Sequence, residues 1–369
     1  MASRQNKVYD FSSSIIAAEM LFRTTHIRDK TICWTGFMAW KNLKQSNLAD
    51  SMLIDHDALK ELDVVVQDSV TELIDWSRLE QVLQGIHASP RGEKAWPPLL
   101  MFKALLLQSW YSLSDPALEK QLARDLLFRR FVALDIAESV PDHSSFWRFR
   151  QTLERLSLMG KLLSEINAQL SNQGLYIKSG GVSIVDASVI EAKQCRPNKD
   201  KNGESTQDPE AQWNVKAGSD GQRKSTYGFK AHINVDEDGL IKSTDYTPGN
   251  VHDSNCFTSL LDGDESAVYA DSAYASEKHA KWLKAHKVES RIIRRAYINK
   301  PLTTKDKQFN RLHSGTRCTV ERVFGVLKLH YDTAKARYMG LNRNRTRFEL
   351  MCVAHNIKRG QSIRQYSCA

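Results

Sequence analysis

A chain of 369 residues, 41% hydrophobic and 26% charged with a net charge of +9, is too long for one small core, so we expect two globular domains with tails. No run approaches the ~18 apolar residues of a membrane span, and the serine-interrupted start does not match a secretory signal. The six cysteines are scattered without a Cys-x-x-Cys pair, which argues against a structural zinc site and favours a reducing cytoplasm.

The first half of the chain predicts an all-α domain. Residues 1–45 show no sustained period and form a poorly specified N-terminal extension, whereas residues 46–172 show helical patterns. The clearest helix runs from Leu99 to Tyr111. It is apolar almost all round, and a proline pair that suits a first turn precedes it. We therefore expect this helix at the buried centre of the domain.

The last of these short helices is both basic and aromatic. It starts at Asp142, a capping residue, and places Arg148 and Arg150 among three aromatic side chains. Short helices that end in a basic one are compatible with a helix-turn-helix variant. An ordinary bundle used for dimerisation fits them as well, so the domain is assigned to DNA binding, dimerisation or both.

Strand patterns begin after a Ser-Gly-Gly break at residues 179–181. The predicted elements are strands over 182–190, 267–271 and 288–294, a hairpin of strands 227–235 and 240–246, and helices over 276–285 and 316–331. The polar residues 196–224 predict a mobile loop. Residues 178–360 therefore predict an α/β domain with a mixed five-stranded sheet and flanking helices, followed by a tail at 361–369.

The net charge is concentrated near the carboxyl end. Residues 291–360 contain 17 Lys and Arg against 4 Asp and Glu, a balance of +13, whereas residues 50–80 are rich in acid. A basic surface confined to one segment is the electrostatic footprint of a polyanionic partner. A solvated face that keeps the protein soluble accounts for the same charge.

Two aspartates follow apolar strand residues. Asp186 comes after Val-Ser-Ile-Val, and Asp271 comes after Ala-Val-Tyr-Ala. An unpaired carboxylate at such a position costs several kcal/mol to bury, so it must be exposed, paired or bound to metal. An aspartate at a strand end is also commonly a turn or helix-cap residue.

A third carboxylate lies within the basic segment. At 100° per residue, Arg317, Glu321 and Lys328 fall within about 40° of one another on a helix, beside an apolar stripe that would dock on the sheet. Gly325 leaves room above the carboxylate for a phosphate or a nucleotide. A plain intrahelical Arg–Glu salt bridge explains the same spacing. If the three carboxylates converge, they could hold two magnesium ions for phosphodiester chemistry.

Several motifs occur in an order that resembles the DDE transposases of bacterial insertion sequences, specifically the IS-five family. The motifs are Asp186-Ala187-Ser188, Tyr227-Gly228-Phe229-Lys230, the segment 247–254, Asp271-Ser272-Ala273-Tyr274, and the spacing of Arg317, Glu321 and Lys328. Ser314 stands where the family signature has a tyrosine, which puts that side chain's role in question. The resemblance covers roughly residues 48–359, and it implies a ribonuclease-H-like catalytic domain.

The resemblance implies a role for each matching residue. Asp186 would bridge two Mg²⁺ ions, with Mn²⁺ as a substitute, and Asp271 and Glu321 would each hold one ion. Arg317 and Lys328 would contact phosphates of the transposon end. Weaker candidates for DNA backbone contacts are Lys230, Arg322, Arg148, Arg150, Arg343, Arg345 and Arg347. Candidate neighbours of the active site are His252, Asp253 and Tyr274; a hydrogen bond at the hairpin end explains His252 and Asp253 as well.

The expected function is therefore metal-dependent cleavage at terminal inverted repeats, followed by joining of the strands to target DNA. The expected partner is double-stranded DNA, bound by a homodimer or a higher oligomer, and the expected location is the bacterial cytoplasm or nucleoid. One alternative is a domesticated DNA-binding protein that has lost catalysis. A plain ribonuclease-H-type nuclease would not need the long helical domain or the basic tail.

Overall fold

The structure is a computed structural model that describes residues 70–86, 94–175, 181–195, 206–217, 223–297 and 301–367. The predicted extension at 1–45 and the start of the predicted helical domain lie outside the described residues. Between residue 70 and residue 367, the helices and the sheet share one large hydrophobic cluster. No helix among the described residues is long and apolar enough to cross a membrane.

Six helices with both ends described lie in the amino-terminal part between residues 76 and 172. They are α1 (Trp76–Leu83), α2 (Pro98–Trp110), α3 (Asp115–Arg124), α4 (Leu126–Val132), α5 (His143–Arg155) and α6 (Met159–Asn172). Side-chain caps begin several of them: the Asp142 carboxylate accepts the Ser145 amide proton at the start of α5, as expected for a capping aspartate. The prediction for α2 is confirmed, because ten of its side chains are buried.

Six strands form one mixed sheet. They are β1 (Val182–Glu191), β2 (Gln212–Ala217), β3 (Arg223–Val235), β4 (Ile241–Pro248), β5 (Ala267–Ala270) and β6 (Glu289–Ser290). Strand β3 pairs antiparallel with β1, β2 and β4, whereas β5 pairs parallel with β1 and with β6. Four strands joined by antiparallel pairing, β1 to β4, followed by two joined in parallel, β5 and β6, agree with the expected ribonuclease-H-like, mixed α/β class.

The sheet has one strand more than predicted. Strand β2 lies within residues 196–224, so the prediction of a mobile loop is wrong for 212–217 and for the first residues of β3; residues 196–205 and 218–222 lie outside the described part of the chain. Trp213 and Val215 alternate with polar residues, which suits a strand. Both side chains are exposed, so the segment forms a strand through its backbone pairing with β3 rather than through a buried face.

Three further helices complete the fold: α7 (Glu277–Ala285), α8 (Thr304–His330) and α9 (Leu341–Ser367). Helix α8 begins at Thr304, well before the predicted start at residue 316. Its first turns are polar and exposed, so they lack the apolar stripe on which the prediction relied. A capping box between Thr303 and Asp306 fixes this early start.

Helix α9 joins the helical part to the sheet and extends into the residues predicted as a tail. The Asn356 side chain donates to Asn167 Oδ1 on α6 and to the Ile241 carbonyl on β4, both at 2.8 Å. It also accepts the Ile241 amide proton at 2.8 Å. The Trp110 indole of α2 donates to the Ala354 carbonyl at 3.0 Å. Buried bonds of this kind fix the orientation of the helical part against the sheet.

The two faces of the sheet are covered by different helices. Ile184, Phe229 and Ile233 lie on the face that packs with α8, through residues such as Val320 and Leu327. The opposite face contributes to a second cluster together with the region around α7. Alternation along β1 therefore places Asp186 on the same face as Ile184, toward α8.

Candidate active site

Asp186 and Asp271 lie side by side where the parallel pairing of β1 with β5 ends. Val185 is opposite Ala270 in the register, so the next residue of each segment is one of these aspartates. Strand β1 continues to Glu191 paired with β3, while the chain after β5 turns into a short 3₁₀ helix that begins at Ser272. The two segments diverge at this point, and both carboxylates face the opening.

Local hydrogen bonds orient the two aspartates. The Asp186 Oδ1 atom accepts the Ala187 amide proton at 2.8 Å, and the Asp271 Oδ1 atom accepts the Ser272 amide proton at 2.7 Å. Asp271 thus also caps the 3₁₀ helix, which agrees with the alternative role considered for an aspartate at a strand end. In both residues the second carboxylate oxygen remains free of these backbone bonds.

Helix α8 brings Glu321 and Arg317 to the same opening. Val320 and Phe324 are buried against the sheet, which leaves Glu321 exposed at the edge of the buried face. The Arg317 Nη2 atom lies 2.6 Å from Glu321 Oε1, and its Nη1 atom lies 3.8 Å from Asp186 Oδ2. The guanidinium therefore lies between two of the three predicted catalytic carboxylates.

The electrostatics of Asp186 reflect this crowding. Burial, with a smaller contribution from the negative charges of Asp271 and Glu321, raises the pKa of Asp186 to about 6, although the Ala187 amide and Arg317 act in the opposite direction. The charges of both other carboxylates act on the pKa of Asp186, so the three residues lie near enough to interact electrostatically. Burial is the largest cause of the raised pKa.

The predicted triad is spaced more widely than the ligands of a single-ion cage. Among the described residues, only Asp262, Asp264 and Glu265 have three ligand atoms all within 4.8 Å of one another, so the predicted triad does not form a single-ion cage. In a two-ion site the cations are ~3.5–4 Å apart, and the outer ligands are separated further still. Carboxylate oxygens are the ligands that Mg²⁺ and Mn²⁺ prefer.

The acidic turn at residues 262–265 has a structural explanation. The Glu265 side chain accepts the amide protons of Asp262 and Gly263, both at 2.9 Å, and it is buried. Its carboxylate closes the turn that leads into β5, so we do not assign a metal to this cluster.

Tyr274 lies beneath the carboxylates on the opposite face of the sheet. It is buried, and its ring packs 5.7 Å from that of Phe257. Burial and the nearby charges of Asp186 and Asp253 raise the pKa of Tyr274, so it stays protonated. Its hydroxyl has no hydrogen-bond partner among the described residues. Tyr274 remains a candidate neighbour of the site.

Lys230 and Asp253 form a buried pair behind the site. The Lys230 Nζ atom lies 2.8 Å from Asp253 Oδ1 and donates to the Val251 carbonyl at 2.7 Å. These two bonds stabilise the end of the hairpin. Lys230 is only 6% exposed, so its ammonium group is not accessible to DNA. His252 is exposed, and its ring accepts from the Ser254 amide at 3.3 Å, which matches the alternative hydrogen-bonding role.

Two more predicted DNA contacts are also internal. Arg150 is buried, with its guanidinium bonded to Asp115 and 3.1 Å from the Gln108 side chain oxygen. Arg347 is buried and donates to the ends of α8. Arg345 is half-exposed, donates to the Tyr246 carbonyl at 2.7 Å and therefore has a structural bond as well. The sequence pattern does not distinguish these three arginines from arginines that are fully exposed on the surface.

Arg148, Arg322 and Arg343 remain exposed and accessible to DNA. Lys328 is half-buried, and no carboxylate among the described residues lies within ion-pair distance of it. Burial lowers the pKa of Lys328, and the positive charge of Lys216 lowers it further. Lys216 is therefore a neighbour that sequence reasoning missed, because β2 had been interpreted as a loop.

The β2–β3 ribbon continues the basic surface beyond α8. Lys216, Arg223 and Lys224 are exposed on this ribbon, and exposed Trp213 packs 5.2 Å from the ring of Tyr227. Basic side chains next to an exposed aromatic ring are typical of nucleic-acid-binding surfaces. The alternation of Trp213 and Val215 was the signal in the sequence that could have revealed this ribbon.

Two protein-family models match the chain. The model described as "Transposase DDE domain" matches residues 178–357, and the model described as "Transposase domain (DUF772)" matches residues 56–152. The first spans the sheet with its carboxylates, and the second spans the predicted helical domain. Together they cover well over half of the chain.

Some solved structures show a remote likeness to the chain. "Crystal structure of a pre-cleavage Mos1 transpososome" is 9% identical, with 69% of this chain and 78% of that chain covered and a TM-score of 0.19. "Crystal structure of the Mos1 Strand Transfer Complex" is 9% identical, with 76% and 80% covered and a TM-score of 0.18. Likeness at these TM-scores carries no weight for the fold, which rests on the sheet topology.

Proposed function

Because the chain belongs to the DDE transposases of the IS-four/IS-five type, we propose that it cleaves DNA strands at the terminal inverted repeats of a mobile element and joins them to target DNA. The catalytic residues in this proposal are Asp186, Asp271 and Glu321. What supports it is that Asp186 and Asp271 directly follow the paired residues Val185 and Ala270, and that Arg317 of α8 lies between Asp186 and Glu321.

Two divalent cations, Mg²⁺ or its substitute Mn²⁺, would be held by the three carboxylates, with Asp186 between them. When bound, such ions activate the attacking oxygen and neutralise charge on the phosphate. The backbone bonds of Asp186 and Asp271 hold one oxygen of each carboxylate and leave the other oxygen available to a cation. These local bonds orient both aspartates before DNA binds.

Arg317 and Lys328 would position the DNA end. The Arg317 guanidinium is already within 2.6 Å of Glu321, and a phosphate is a better bidentate partner for it once cations occupy the carboxylates. No carboxylate of the described part of the chain pairs with Lys328, so its charge is available to a phosphate. Lys216 and Arg322 extend the same surface, and their contacts would be sequence-blind and sensitive to salt.

The proposed reaction joins both ends of the mobile element to target DNA. At least two copies of the chain are therefore expected in the complex with DNA. The helical part and the β2–β3 ribbon both offer exposed surface for this assembly.

The decisive experiment is the replacement Glu321→Gln. The variant keeps the shape of the side chain but loses the anionic ligand, so Mg²⁺-dependent nicking of DNA that carries the element's ends should be abolished. Binding of the same DNA should persist, since the basic surface is unchanged. The matched control is Glu237→Gln, which changes an exposed carboxylate in the turn between β3 and β4.

Product strands resolved on a denaturing gel, with and without Mg²⁺, give the readout. Glu237→Gln should nick at the rate of the wild type. If Glu321→Gln retained Mg²⁺-dependent nicking, Glu321 would have no part in the mechanism and the proposed site would be wrong.

A further inference from the structure

A cleft lies at the junction between the helical part and the end of α8, away from the carboxylates. It contains roughly 420 Å³ of empty space, part of it open to solvent. Its walls come from α2 and α5 on one side, and from α9 and the segment between α8 and α9 on the other. The side chains that matter are Gln108, Arg150, Tyr331, Arg337, Tyr338 and Arg347, and we call this cleft the arginine pocket.

The three guanidiniums of the arginine pocket differ in how well they are satisfied. Arg150 is fully engaged by Asp115 and Gln108 and lies over the ring of Tyr338 at 5.7 Å. Arg347 is 8% exposed; its Nη2 atom donates to the Tyr331 carbonyl at 3.3 Å and to the Asp332 carbonyl at 3.0 Å, while its Nε atom has no hydrogen-bond partner among the described residues.

Arg337 is the least constrained of the three. It is half-exposed, and among the described residues its hydrogen bonding is one long bond of 3.4 Å from Nη1 to the Leu113 carbonyl. Its planar guanidinium can therefore offer two parallel N–H groups to a ligand at little cost.

The charges in the pocket do not balance. Burial alone would raise the pKa of Asp115, but its bonds to Arg150 and the charge of Arg337 hold it below the usual value, so two cations share this one carboxylate. Burial and the charge of Arg337 lower the pKa of Arg347. Asp332 is exposed at the rim. An excess of positive charge in a partly closed cleft attracts an anion.

We propose that the arginine pocket binds a phosphate group, with the Arg337 guanidinium and the Arg347 Nε–H as donors. Its source is either the backbone of DNA that runs past the catalytic site or a free phosphate or nucleotide. Ten residues separate Glu321 from Tyr331, which corresponds to about 15 Å of helix, so this site is distinct from the catalytic centre. With DNA as the source, the pocket extends the proposed transposase surface; with free phosphate, it is an independent ligand site.

The test compares Arg337→Gln with Arg155→Gln. Arg337→Gln removes a guanidinium group whose hydrogen bond to the described part of the protein is long, so the variant should fold. Arg155→Gln removes the same charge from an exposed position on α5 and is the matched control. In the first arm, isothermal titration measures binding of inorganic phosphate, and separately of ADP, at constant ionic strength set with chloride. In the second arm, the affinity for duplex DNA is measured across a salt series.

The expected result is that Arg337→Gln weakens phosphate or DNA binding about tenfold, which corresponds to the loss of one charge-assisted contact, while Arg155→Gln matches the wild type. Loss in the first arm alone identifies free phosphate or nucleotide as the source. Loss in the second arm, with a salt slope smaller by about one, identifies DNA. Equal behaviour of the two variants in both arms would overturn the proposal.

The same titrations on Glu321→Gln separate this inference from the proposed function. The pocket contains none of the catalytic carboxylates, so phosphate or DNA binding that depends on Arg337 should survive in that variant even though nicking is lost.

Discussion

Replacing Asp186 by Asn should stabilise the metal-free protein at neutral pH. Burial and two neighbouring carboxylates raise the pKa of Asp186 from 3.8 to about 6 in the folded state. A carboxyl group with a raised folded pKa destabilises the fold when it ionises. This decrease in the free energy of unfolding is absent below about pH 4, grows as the pH rises, and is complete above about pH 6. A shift of about two units corresponds to roughly 3 kcal/mol of unfolding free energy.

Asparagine has nearly the same shape and can still accept the Ala187 amide proton, but it carries no charge. In EDTA at pH 8 the Asp186→Asn variant should therefore be more stable than the wild type by about 1–3 kcal/mol, with the lower figure allowing for relaxation and water. At pH 4 the two proteins should unfold alike. Urea denaturation at both pH values measures the difference, and Glu237→Gln again serves as the exposed control.

Addition of Mg²⁺ at pH 8 should offset most or all of this difference. A cation that binds only the folded wild type stabilises it by about 2.7 kcal/mol at 100 times its dissociation constant, whereas Asp186→Asn should respond far less. If Asp186→Asn were no more stable than the wild type in EDTA at pH 8, ionisation of the Asp186 carboxylate would not destabilise the folded state as its burial and neighbours imply. The inference that a cation compensates this destabilising charge would then be wrong.

Two further predictions concern DNA binding and folding. Lys328→Ala and Lys216→Ala should each lower the slope of log affinity against log salt for duplex DNA by about 0.9, whereas Arg155→Ala should leave it unchanged; an unaltered slope would make both lysines structural. Gly228→Ala should cost more than about 3 kcal/mol in urea denaturation or prevent folding, because the added Cβ would lie 2.0 Å from the Ile190 carbonyl oxygen. Gly160→Ala, where nothing lies within 4 Å, should be tolerated, and equal stability of the two variants would refute the steric reason.

The glycines of two motifs have structural rather than catalytic reasons. A Cβ at Gly228 would overlap the backbone of β1, and one at Gly249 would lie 2.5 Å from the Gln212 carbonyl oxygen of β2. Their positions in the family-like motifs therefore mark close backbone approaches in the sheet. The motif spacing was readable from the sequence, but this reason for it required the strand register.

The sequence predicted the sheet well where apolar residues alternate or cluster. Strands β1, β3, β4 and β5 and helices α2 and α7 were recognisable because their side chains are buried on one or both faces. Strand β2 and the start of α8 were missed, since backbone pairing and a capping box stabilise them without an apolar stripe. Helix α9 was missed as well, although it ties the helical part to the sheet.

The charged residues show a sharper limit of sequence reasoning. Arg148 and Arg150 are two positions apart on one helix, yet the first is exposed and the second is buried against Asp115. Asp115 is distant in sequence, so nothing in the local pattern of α5 distinguishes the two arginines. Among the predicted catalytic residues, the spacing of Arg317 and Glu321 was informative because both partners lie on one helix.

The position of Arg317 follows from the charge balance of the proposed site. Without cations, Arg317 lies between Asp186 and Glu321 and offsets part of their negative charge. If two divalent ions were bound, the three carboxylates, the ions and this guanidinium would carry a net charge of about +2, which a phosphodiester and an anionic attacking oxygen would neutralise. Arg317 then serves both states from one helix: it pairs with Glu321 and Asp186 before the ions bind, and it is close enough to turn toward the phosphate afterwards. The motif spacing therefore reflects a requirement for a mobile positive charge one helical turn from Glu321.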